Sequence, residues 1–412
     1  MRDLSIDFLG FHCKNPFFLA ASPVARTGEM VCRAYEAGWG GVVTKSISLD
    51  QDLPDHGLSP RFLGVRSGGA DHMLQRNYTG MGNIDFRIDM PVQETFDGFA
   101  RAKRQHPDHM LIISIKCQYQ KEDWQIMARR CADAGADAIE ACLSCPDSSG
   151  LPVCCSAEAV CRVIGWIREA TDLPVMVKLG GICDSVGAIA HAAFAGGADA
   201  VSGINTLKAV GGWNPTTAHM MPTVAGETAV VGLSGGMIKP TAQYCIYEMA
   251  RRSPGKPLSG IGGVTCGLDA LEYLLLGAST VQVATQVMLE GYGIVEDLQL
   301  TLSNYLQETG AACVGDIVGT AVAQVQPSTG ALSRRQQLRA GIDLSKCIRC
   351  GRCYVSCRDG AYQAIQLDGD RLPSVDRSLC AGCGLCRIVC PVPGAIRYSD
   401  AADETCVRDG LN

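Results

Sequence analysis

Short apolar runs alternate with amphipathic segments along most of the chain. The runs long enough to be buried strands are Phe17–Ala21, Gly41–Lys45, Leu111–Ile115, Ala138–Leu143, Pro174–Leu179, Ala200–Ile204, Pro257–Ile261 and Thr280–Ala284. Segments with apolar residues at helical spacing separate the runs, such as Glu29–Ala37 and Trp124–Ala134. Several of these segments end in glycine and small residues just before the next run, as helices do. The pattern predicts successive βα units.

The number of βα units predicts an α/β fold, a (β/α)8 TIM barrel. A doubly wound parallel sheet is the alternative, because it uses the same alternation of strands and helices. In a barrel the reacting side chains lie at the C-terminal ends of the strands. These ends carry Ser22, Lys45, the Ser144-Cys145-Pro146 run, Lys178, Asn205-Thr206, Gly262-Gly263 and Thr285. Two lysines, a cysteine and an asparagine at such positions indicate an active site rather than a structural rim.

The pattern changes near residue 325. Residues 322–341 are polar, contain Pro, Gly and three Arg, and show no periodic apolar face. We therefore expect a catalytic barrel over residues 1–325, a linker over 326–340 and a second domain over 341–412.

The second domain is defined by its cysteines. The chain has 22 cysteines, and two runs read Cys347-x2-Cys350-x2-Cys353-x3-Cys357 and Cys380-x2-Cys383-x2-Cys386-x3-Cys390-Pro391. This is the spacing of a two-cluster ferredoxin, in which the fourth cysteine of each run binds the other cluster. One [4Fe-4S] cluster is therefore expected on Cys347, Cys350, Cys353 and Cys390, and the other on Cys380, Cys383, Cys386 and Cys357. Zinc sites are the alternative, but two complete runs favour a ferredoxin-like α+β domain.

Composition narrows the class of protein. The hydrophobic fraction of 47% and the charged fraction of 19% indicate a globular chain. A net charge of −6 argues against a nucleic-acid binder, which needs a basic face. No apolar run reaches the length of a membrane helix, and the first residues lack the apolar core of a signal peptide. Because so many cysteines outside a small secreted scaffold indicate reduced thiols, we expect a cytoplasmic protein.

Two clusters carry single electrons, and a flavin in the barrel would convert them into a hydride. Backbone N–H groups at Ile261-Gly262-Gly263 and Ala284-Thr285, with Gly235, are expected to bind the FMN phosphate. Lys45 and Lys178 follow apolar strand residues and are expected to face the N1–C2=O edge of the flavin, where a cation favours reduction. Lysines that extend to solvent are the alternative. No GxGxxG stands between a strand and a helix, so electrons are expected from a partner protein.

Cys145 stands at the end of the fourth predicted strand, immediately before Pro146. A thiol above a flavin can donate a proton to the carbon next to the one that receives hydride, so Cys145 is expected to be the general acid. Other cysteines compete for this role, and Cys154 and Cys155 follow closely.

The chain resembles the catalytic subunits of bacterial NAD-dependent dihydropyrimidine dehydrogenases and, more distantly, the dihydroorotate dehydrogenases. The resemblance covers nearly the whole chain and rests on NPFFLAASP, EAGWGGVVTKSISLDQD, SPRF, LSCP, VMVKL, INT, LSGGMIKP, SGIGG and the ferredoxin runs. It implies reversible reduction of the 5,6 C=C bond of uracil- or thymine-like pyrimidines. It also implies a hetero-oligomer with a flavoprotein partner. That partner would bind NAD(P)H and FAD, and its electrons would pass through the two clusters. No nucleic-acid or membrane partner is expected.

The resemblance implies roles for individual residues. The FMN site is expected to comprise Ala21, Lys45, Ser46, Lys178, Gly235, Ile261, Gly262, Gly263, Ala284 and Thr285, with Cys145 as the proton donor. The pyrimidine is expected to contact Asn83, Cys142, Leu143, Ser144, Asn205 and Thr206. Cys142 stands where the family has an asparagine, and a thiol offers less donor and acceptor capacity than an amide. A related cyclic amide is therefore an alternative substrate.

Two other functions remain open on the sequence. A dihydroorotate dehydrogenase catalytic subunit would need cationic or amide groups for the substrate carboxylate beyond the lysines assigned to the flavin. An electron-transfer subunit with a non-catalytic barrel is the alternative from another class. A non-catalytic barrel is disfavoured by the presence of Lys45, Lys178, Asn205 and Cys145. Cys142, in place of the family's asparagine, mildly favours it.

Overall fold

The structure is a computed structural model. It describes residues 2–49, 61–65, 79–85, 88, 90–144, 153–181, 185–214, 216–224, 227–328 and 338–400. The chain divides into two compact units at the Val325–Gln326 boundary.

The first unit contains alternating strands and helices. Its strands are β1 (Ile6–Phe8), β2 (Phe11–Cys13), β3 (Phe17–Leu19), β4 (Gly41–Val43), β5 (Arg61–Val65), β6 (Gly80–Ile84), β7 (Met110–Ile115), β8 (Ala138–Cys142), β9 (Val175–Leu179), β10 (Ala200–Gly203), β11 (Leu207–Ala209), β12 (Trp213–Asn214), β13 (His219–Met220), β14 (Thr223–Val224), β15 (Glu227–Thr228), β16 (Val231–Ser234), β17 (Leu258–Ile261) and β18 (Thr280–Val283). Its helices are α1 (Gly28–Glu36), α2 (Val92–Gln105), α3 (Lys121–Asp133), α4 (Ala157–Arg168), α5 (Val186–Ala195), α6 (Lys239–Arg252), α7 (Gly267–Leu275), α8 (Thr285–Glu290) and α9 (Val295–Thr309).

Eight parallel strands close into a barrel in the order β3-β4-β7-β8-β9-β10-β17-β18, and β18 pairs with β3. Every run predicted from the sequence overlaps one of these strands, and only β7 extends beyond its run, by one residue at Met110. The prediction of a TIM barrel is therefore confirmed, and the doubly wound alternative is wrong.

The barrel forms because its strands carry apolar side chains on both faces, whereas its helices carry them on one face only. All six residues of β7, Met110–Ile115, are buried, as expected for a parallel strand that is covered on both sides. In α4 the buried residues Val160, Val163, Ile164 and Ile167 recur at helical spacing. The helix begins after Ser156, whose Oγ accepts a hydrogen bond from the Ala159 N–H at 3.2 Å.

A second sheet lies at the C-terminal ends of the barrel strands, and the sequence pattern did not predict it. Its antiparallel strands run in the order β11-β16-β6-β5. Phe62, Met81 and Ser234 from this sheet line the same cavity as residues that follow the barrel strands. The sheet therefore forms part of the wall of that cavity.

The second unit has a duplicated α+β arrangement. It contains β19 (Leu338–Ile342), α10 (Arg352–Gly360), β20 (Ile365–Leu367), β21 (Pro373–Val375), α11 (Leu385–Val389) and β22 (Ile396–Asp400). β19 pairs with β22 and β20 with β21, both antiparallel. β19 begins at Leu338, so the segment predicted as a linker over 326–340 ends in a strand. None of the described helices has the length and apolar character needed to cross a bilayer.

The loop after β17 packs closely against the start of α6 at Gly263, and this contact gives a stability prediction. Gly263 has φ +74°, and a Cβ there would lie 2.5 Å from the Lys239 backbone N. Gly135 has a similar φ of +77°, but its Cβ would approach Lys103 Cγ no closer than 3.9 Å. We expect Gly135→Ala to lower the free energy of unfolding by about 1–2 kcal/mol, the cost of a left-handed non-glycine residue. Gly263→Ala should cost clearly more, because the backbone of α6 must also move.

Denaturant unfolding followed by circular dichroism measures this difference between the two variants. Equal losses for Gly263→Ala and Gly135→Ala would show that the contact with α6 adds nothing.

Candidate active site

A cavity with about 1240 Å³ of empty volume opens at the C-terminal end of the barrel. Many residues predicted from the sequence line it, namely Ala21, Lys45, Ser46, Asn83, Cys142, Lys178, Asn205, Thr206, Gly235, Ile261, Gly262, Gly263, Ala284 and Thr285.

Three predicted residues are placed differently or lie outside the described part of the chain. Leu143 is buried in the core and does not line the cavity. Ser144 also lies off the cavity wall, where its Oγ accepts a hydrogen bond from Asn205 Nδ2 at 2.8 Å. Cys145 lies outside the described residues, so its role stays a prediction.

Lys45 is held by a buried ion pair. Its Nζ lies 2.6 Å from each carboxylate oxygen of Asp85, and the two side chains are 8% and 7% exposed. Lys45 follows β4, and Asp85 follows β6 of the second sheet. The lysine therefore does not extend to solvent, and its pairing joins the barrel to the second sheet.

Lys178 is the second buried lysine, and its Nζ lies 4.0 Å from Glu140 Oε1. Glu140 is fully buried and accepts hydrogen bonds from Ser114 Oγ at 2.9 Å and Ser202 Oγ at 3.0 Å. Burial raises the pKa of the Glu140 carboxyl, and the nearby Lys178 ammonium and the two hydroxyls oppose that rise. A second buried cation thus stands at the cavity with a carboxylate behind it.

The glycines at the cavity fit close approach of an anionic group. Gly235, Gly262 and Gly263 all have positive φ, of +83°, +126° and +74°. A Cβ on Gly262 would lie 2.9 Å from Ala242 Cβ, and one on Gly263 would meet the first residue of α6. These glycines therefore let the loops pack closely on α6, and their backbone lines the cavity without side chains. Bare backbone in such turns can approach an anionic group closely.

Gln282 is a cavity residue that the sequence reasoning missed. Its Nε2 donates a hydrogen bond to Ser259 Oγ at 2.9 Å. Its Oε1 is buried and has no hydrogen-bond partner within the described part of the chain. An unsatisfied buried acceptor costs about 1–3 kcal/mol, so a ligand N–H or O–H is its natural partner. The available signal was an amide side chain between two valines of the buried strand TVQV.

Other cavity residues also lacked a predicted role. They are Ser22, Pro23, Phe62, Met81, Asp85, Lys116, Ile204, Gly232, Ser234, Ile238, Val264, Val283 and Met288. Phe62, Met81, Asp85, Gly232 and Ser234 lie in the second sheet or directly after one of its strands, and the pairing of that sheet is decided by the tertiary fold. The others lie in barrel strands, in the turns after them or in short helices.

Intramolecular hydrogen bonds orient the candidate substrate-binding amides. Asn83 Nδ2 donates to the Gly232 carbonyl oxygen at 2.7 Å. Asn205 Oδ1 accepts from the Thr206 N–H at 2.9 Å, while its Nδ2 donates to Ser144. Cys142 Sγ lies 3.7 Å from Ser144 Oγ. These contacts fix the side-chain orientations that a polar ring would meet.

In the second unit the predicted cluster cysteines fall into two cavities. A cavity of about 400 Å³ is lined by Cys347, Cys350, Cys353 and Cys390. A cavity of about 340 Å³ is lined by Cys357, Cys380, Cys383 and Cys386. Each group combines three cysteines of one run with the fourth of the other, as the spacing predicts.

Half of these cysteines, Cys353, Cys357, Cys380 and Cys386, are buried, which suits bound metal. Burial raises the pKa of the Cys386 thiol to about 11 and also raises that of Cys353. Thiolates at such positions are favoured when iron takes the place of the proton. The donor set therefore fits iron–sulfur clusters.

Comparisons with known proteins agree with both units. A family model described as dihydroorotate dehydrogenase matches residues 3–306. A model described as a 4Fe-4S dicluster domain matches residues 340–398, so the second unit is an iron–sulfur domain and the zinc alternative is wrong.

Similar curated proteins cover most of the chain. The NAD-dependent dihydropyrimidine dehydrogenase subunit PreA of Escherichia coli K12 is 37% identical over 404 residues, which is 95% of this chain and 94% of that protein. The chloroplastic dihydropyrimidine dehydrogenase (NADP(+)) of Arabidopsis thaliana is 30% identical, over 81% of this chain and 80% of that protein. The dihydroorotate dehydrogenase B (NAD(+)) catalytic subunit of Thermococcus kodakarensis is 34% identical, over 77% of this chain and 98% of that protein.

The crossed grouping of cysteines predicts which cluster each variant loses. Cys357→Ala should remove the cluster on Cys380, Cys383 and Cys386, because the fourth ligand of that cluster is gone. Cys390→Ala should remove the other cluster. Each variant should lower the iron content from about eight to about four atoms per chain. The exposed Cys313 of the first unit supplies the control, since Cys313→Ala should keep both clusters.

Iron analysis and electron paramagnetic resonance of the reduced proteins distinguish the pairings. The signal that survives in Cys357→Ala should match that in Cys380→Ala. A match between Cys357→Ala and Cys347→Ala instead would contradict the crossed arrangement.

Proposed function

The chain belongs to the dihydroorotate dehydrogenase family and carries a 4Fe-4S dicluster domain, and we propose that it is the catalytic subunit of a dihydropyrimidine dehydrogenase. The proposed reaction is the reversible reduction of the 5,6 C=C bond of a uracil- or thymine-like pyrimidine. The observation that carries the proposal is the barrel cavity, where two buried lysines and a glycine-rich anion site lie beside oriented amides. The sequence identity of 37% and 30% to two proteins named as dihydropyrimidine dehydrogenases or their subunits supports the proposal.

The residues of the cavity fit FMN. Gln282 Oε1, which has no hydrogen-bond partner among the described residues, can accept one from a flavin ring. The buried Lys45 and Lys178 place positive charge at the same cavity. Gly235, Gly262, Gly263, Ala284 and Thr285 would hold the phosphate, and Lys45 and Lys178 the ring edge, with Ala21, Ser46 and Ile261 on the wall. When bound, FMN supplies hydride transfer to and from carbon.

The protein's own groups bind and protonate the pyrimidine in this proposal. Asn83, Asn205 and Thr206 offer hydrogen bonds to the ring amides, and the Ser144 contact holds the Asn205 amide in place. Cys145 supplies the proton to the carbon next to the one that receives the hydride. Cys142 offers the ring a thiol in place of an amide, which weakens recognition at that edge.

We propose that electrons reach the cavity from a separate flavoprotein through the two clusters. The E. coli relative is itself a subunit by name, and the sequence shows no dinucleotide-binding motif between a strand and a helix. The partner would bind NAD(P)H and FAD and form a hetero-oligomer with this chain in the cytoplasm.

A dihydroorotate dehydrogenase is the second candidate, because the cavity holds a cation that the sequence reasoning did not assign. Lys116 follows β7 and lines the cavity together with Lys45 and Lys178. A third lysine provides a group that can pair with a substrate carboxylate. The relative from T. kodakarensis carries that activity in its name.

Anaerobic titration of the purified, FMN-loaded full-length chain tests the substrate class. We expect dihydrouracil or dihydrothymine to bleach the long-wavelength flavin band. Bleaching by dihydroorotate alone would move the assignment to the second candidate, and failure to retain FMN would overturn the proposal.

Cys142→Asn should tighten dihydrouracil binding about tenfold, the value of one hydrogen bond of about 1.4 kcal/mol. Cys142→Ser, which adds no amide, is the matched control.

The proton-donor role of Cys145 has its own test. Cys145→Ala should slow pyrimidine reduction about 10²–10⁴-fold, the usual contribution of a general acid, while FMN remains bound. The exposed Cys155 is the control position, and Cys155→Ala should keep the wild-type rate. Stopped-flow measurement of flavin reoxidation by the pyrimidine gives both rates. Full activity in Cys145→Ala, or equal losses in both variants, would contradict the role.

A further inference from the structure

Glu140 is a buried carboxylate inside the barrel that the proposed reaction does not use. It stands on β8, and its side chain is 0% exposed. β9 separates β8 from β10 in the barrel, yet Ser202 of β10 donates a hydrogen bond to Glu140 Oε2 at 3.0 Å. A contact that skips one strand must run through the barrel interior, so Glu140 points inward.

Glu140 lies behind groups that line the cavity. Lys178 Nζ is 4.0 Å from its Oε1 and is itself a cavity residue. Ser114 Oγ donates to the same Oε1 and lies 2.8 Å from Ser46 Oγ, and Ser46 also lines the cavity. The carboxylate is thus joined to the cavity wall at two points, one charged and one neutral.

Burial and the groups around Glu140 act on its carboxyl in opposite directions, and burial, the larger effect, raises its pKa. Burial disfavours a carboxylate, but the Lys178 ammonium and two hydroxyl donors stabilise it. The titratable groups that face Glu140 are Lys178 and Cys142, and the cysteine opposes ionisation. Removing the carboxylate would leave the buried Lys178 ammonium without the one acidic partner that it has among the described residues.

We propose that Glu140 is a positioning residue, the counter-ion that holds the Lys178 ammonium below the cavity and limits the positive potential it exerts on a bound flavin. The inference rests on the proposed function, because it needs FMN in this cavity. A charge pair acts on a third charge more weakly than a lone cation does. Since charge near N1 sets how readily a flavin is reduced, Glu140 would keep the FMN midpoint potential lower than Lys178 alone would make it.

The test is the midpoint potential of FMN bound to the full-length protein with its clusters present. The flavin signal is separated from the cluster absorbance by titrating protein stripped of FMN in parallel. Glu140→Gln keeps the size and the acceptor oxygen but removes the charge, so the potential should shift upward. Glu140→Asp keeps the charge and should restore most of the wild-type potential.

Two further variants make the test specific. Glu248→Gln removes another poorly exposed carboxylate, which pairs with Arg251 and Arg252 on α6, and should leave the potential unchanged. Ser202→Ala removes one donor to Glu140, which favours the neutral carboxyl, and should give a smaller upward shift. This variant decides the question if Glu140→Gln does not fold.

The outcomes separate this inference from the proposed function. If the wild-type chain binds no FMN, the proposed function fails and the inference fails with it. If FMN binds but neither Glu140→Gln nor Ser202→Ala changes its potential, only the role of Glu140 is overturned. If Glu140→Gln still raises the potential when Lys178 is replaced by Gln, Glu140 does not act through Lys178 and the inference is also overturned.

Discussion

Two lysine ammonium groups buried at the mouth of an apolar barrel are the constraint around which the site is built. A buried cation is stable only when a carboxylate or several hydrogen bonds compensate for lost hydration. Lys45 is compensated by Asp85 and Lys178 by Glu140. The first partner comes from outside the barrel and the second from inside it, so both the second sheet and the barrel interior are tied to the same cavity.

The pairing of Lys45 with Asp85 explains why the second sheet belongs to the site. Asp85 follows β6, and β6 pairs with β16. β16 ends at Ser234, whose Oγ donates to the Met81 carbonyl and accepts from Thr285. The chain then enters α6 through Gly235. One continuous set of contacts therefore connects the ion pair at one side of the cavity to the glycine loops at the other.

The parts of this architecture that the sequence predicted are those set by local pattern. Barrel strands are covered on both faces and appear as unbroken apolar runs, and cluster cysteines have fixed spacing. The second sheet escaped prediction because strands such as GMGNI in β6 are short and glycine-rich. Asp85 gains its role from Lys45, a partner distant in sequence, whereas Gln282 stands within the buried strand TVQV and carried a local signal. Glu140, a single charge within the strand AIEAC, carried a local signal, but only the fold shows which cation it meets.

The two units differ in what surrounds their reactive groups. The barrel has a large core of aliphatic and aromatic side chains and can hold its polar site within it. Among the described residues of the second unit, the hydrophobic core cluster has eight buried members, and four of them are cysteines, Cys353, Cys357, Cys380 and Cys386. A domain of this size has little other apolar surface to bury. Its metal ligands are therefore also its core, and cluster assembly and folding of the second unit should be a single coupled process.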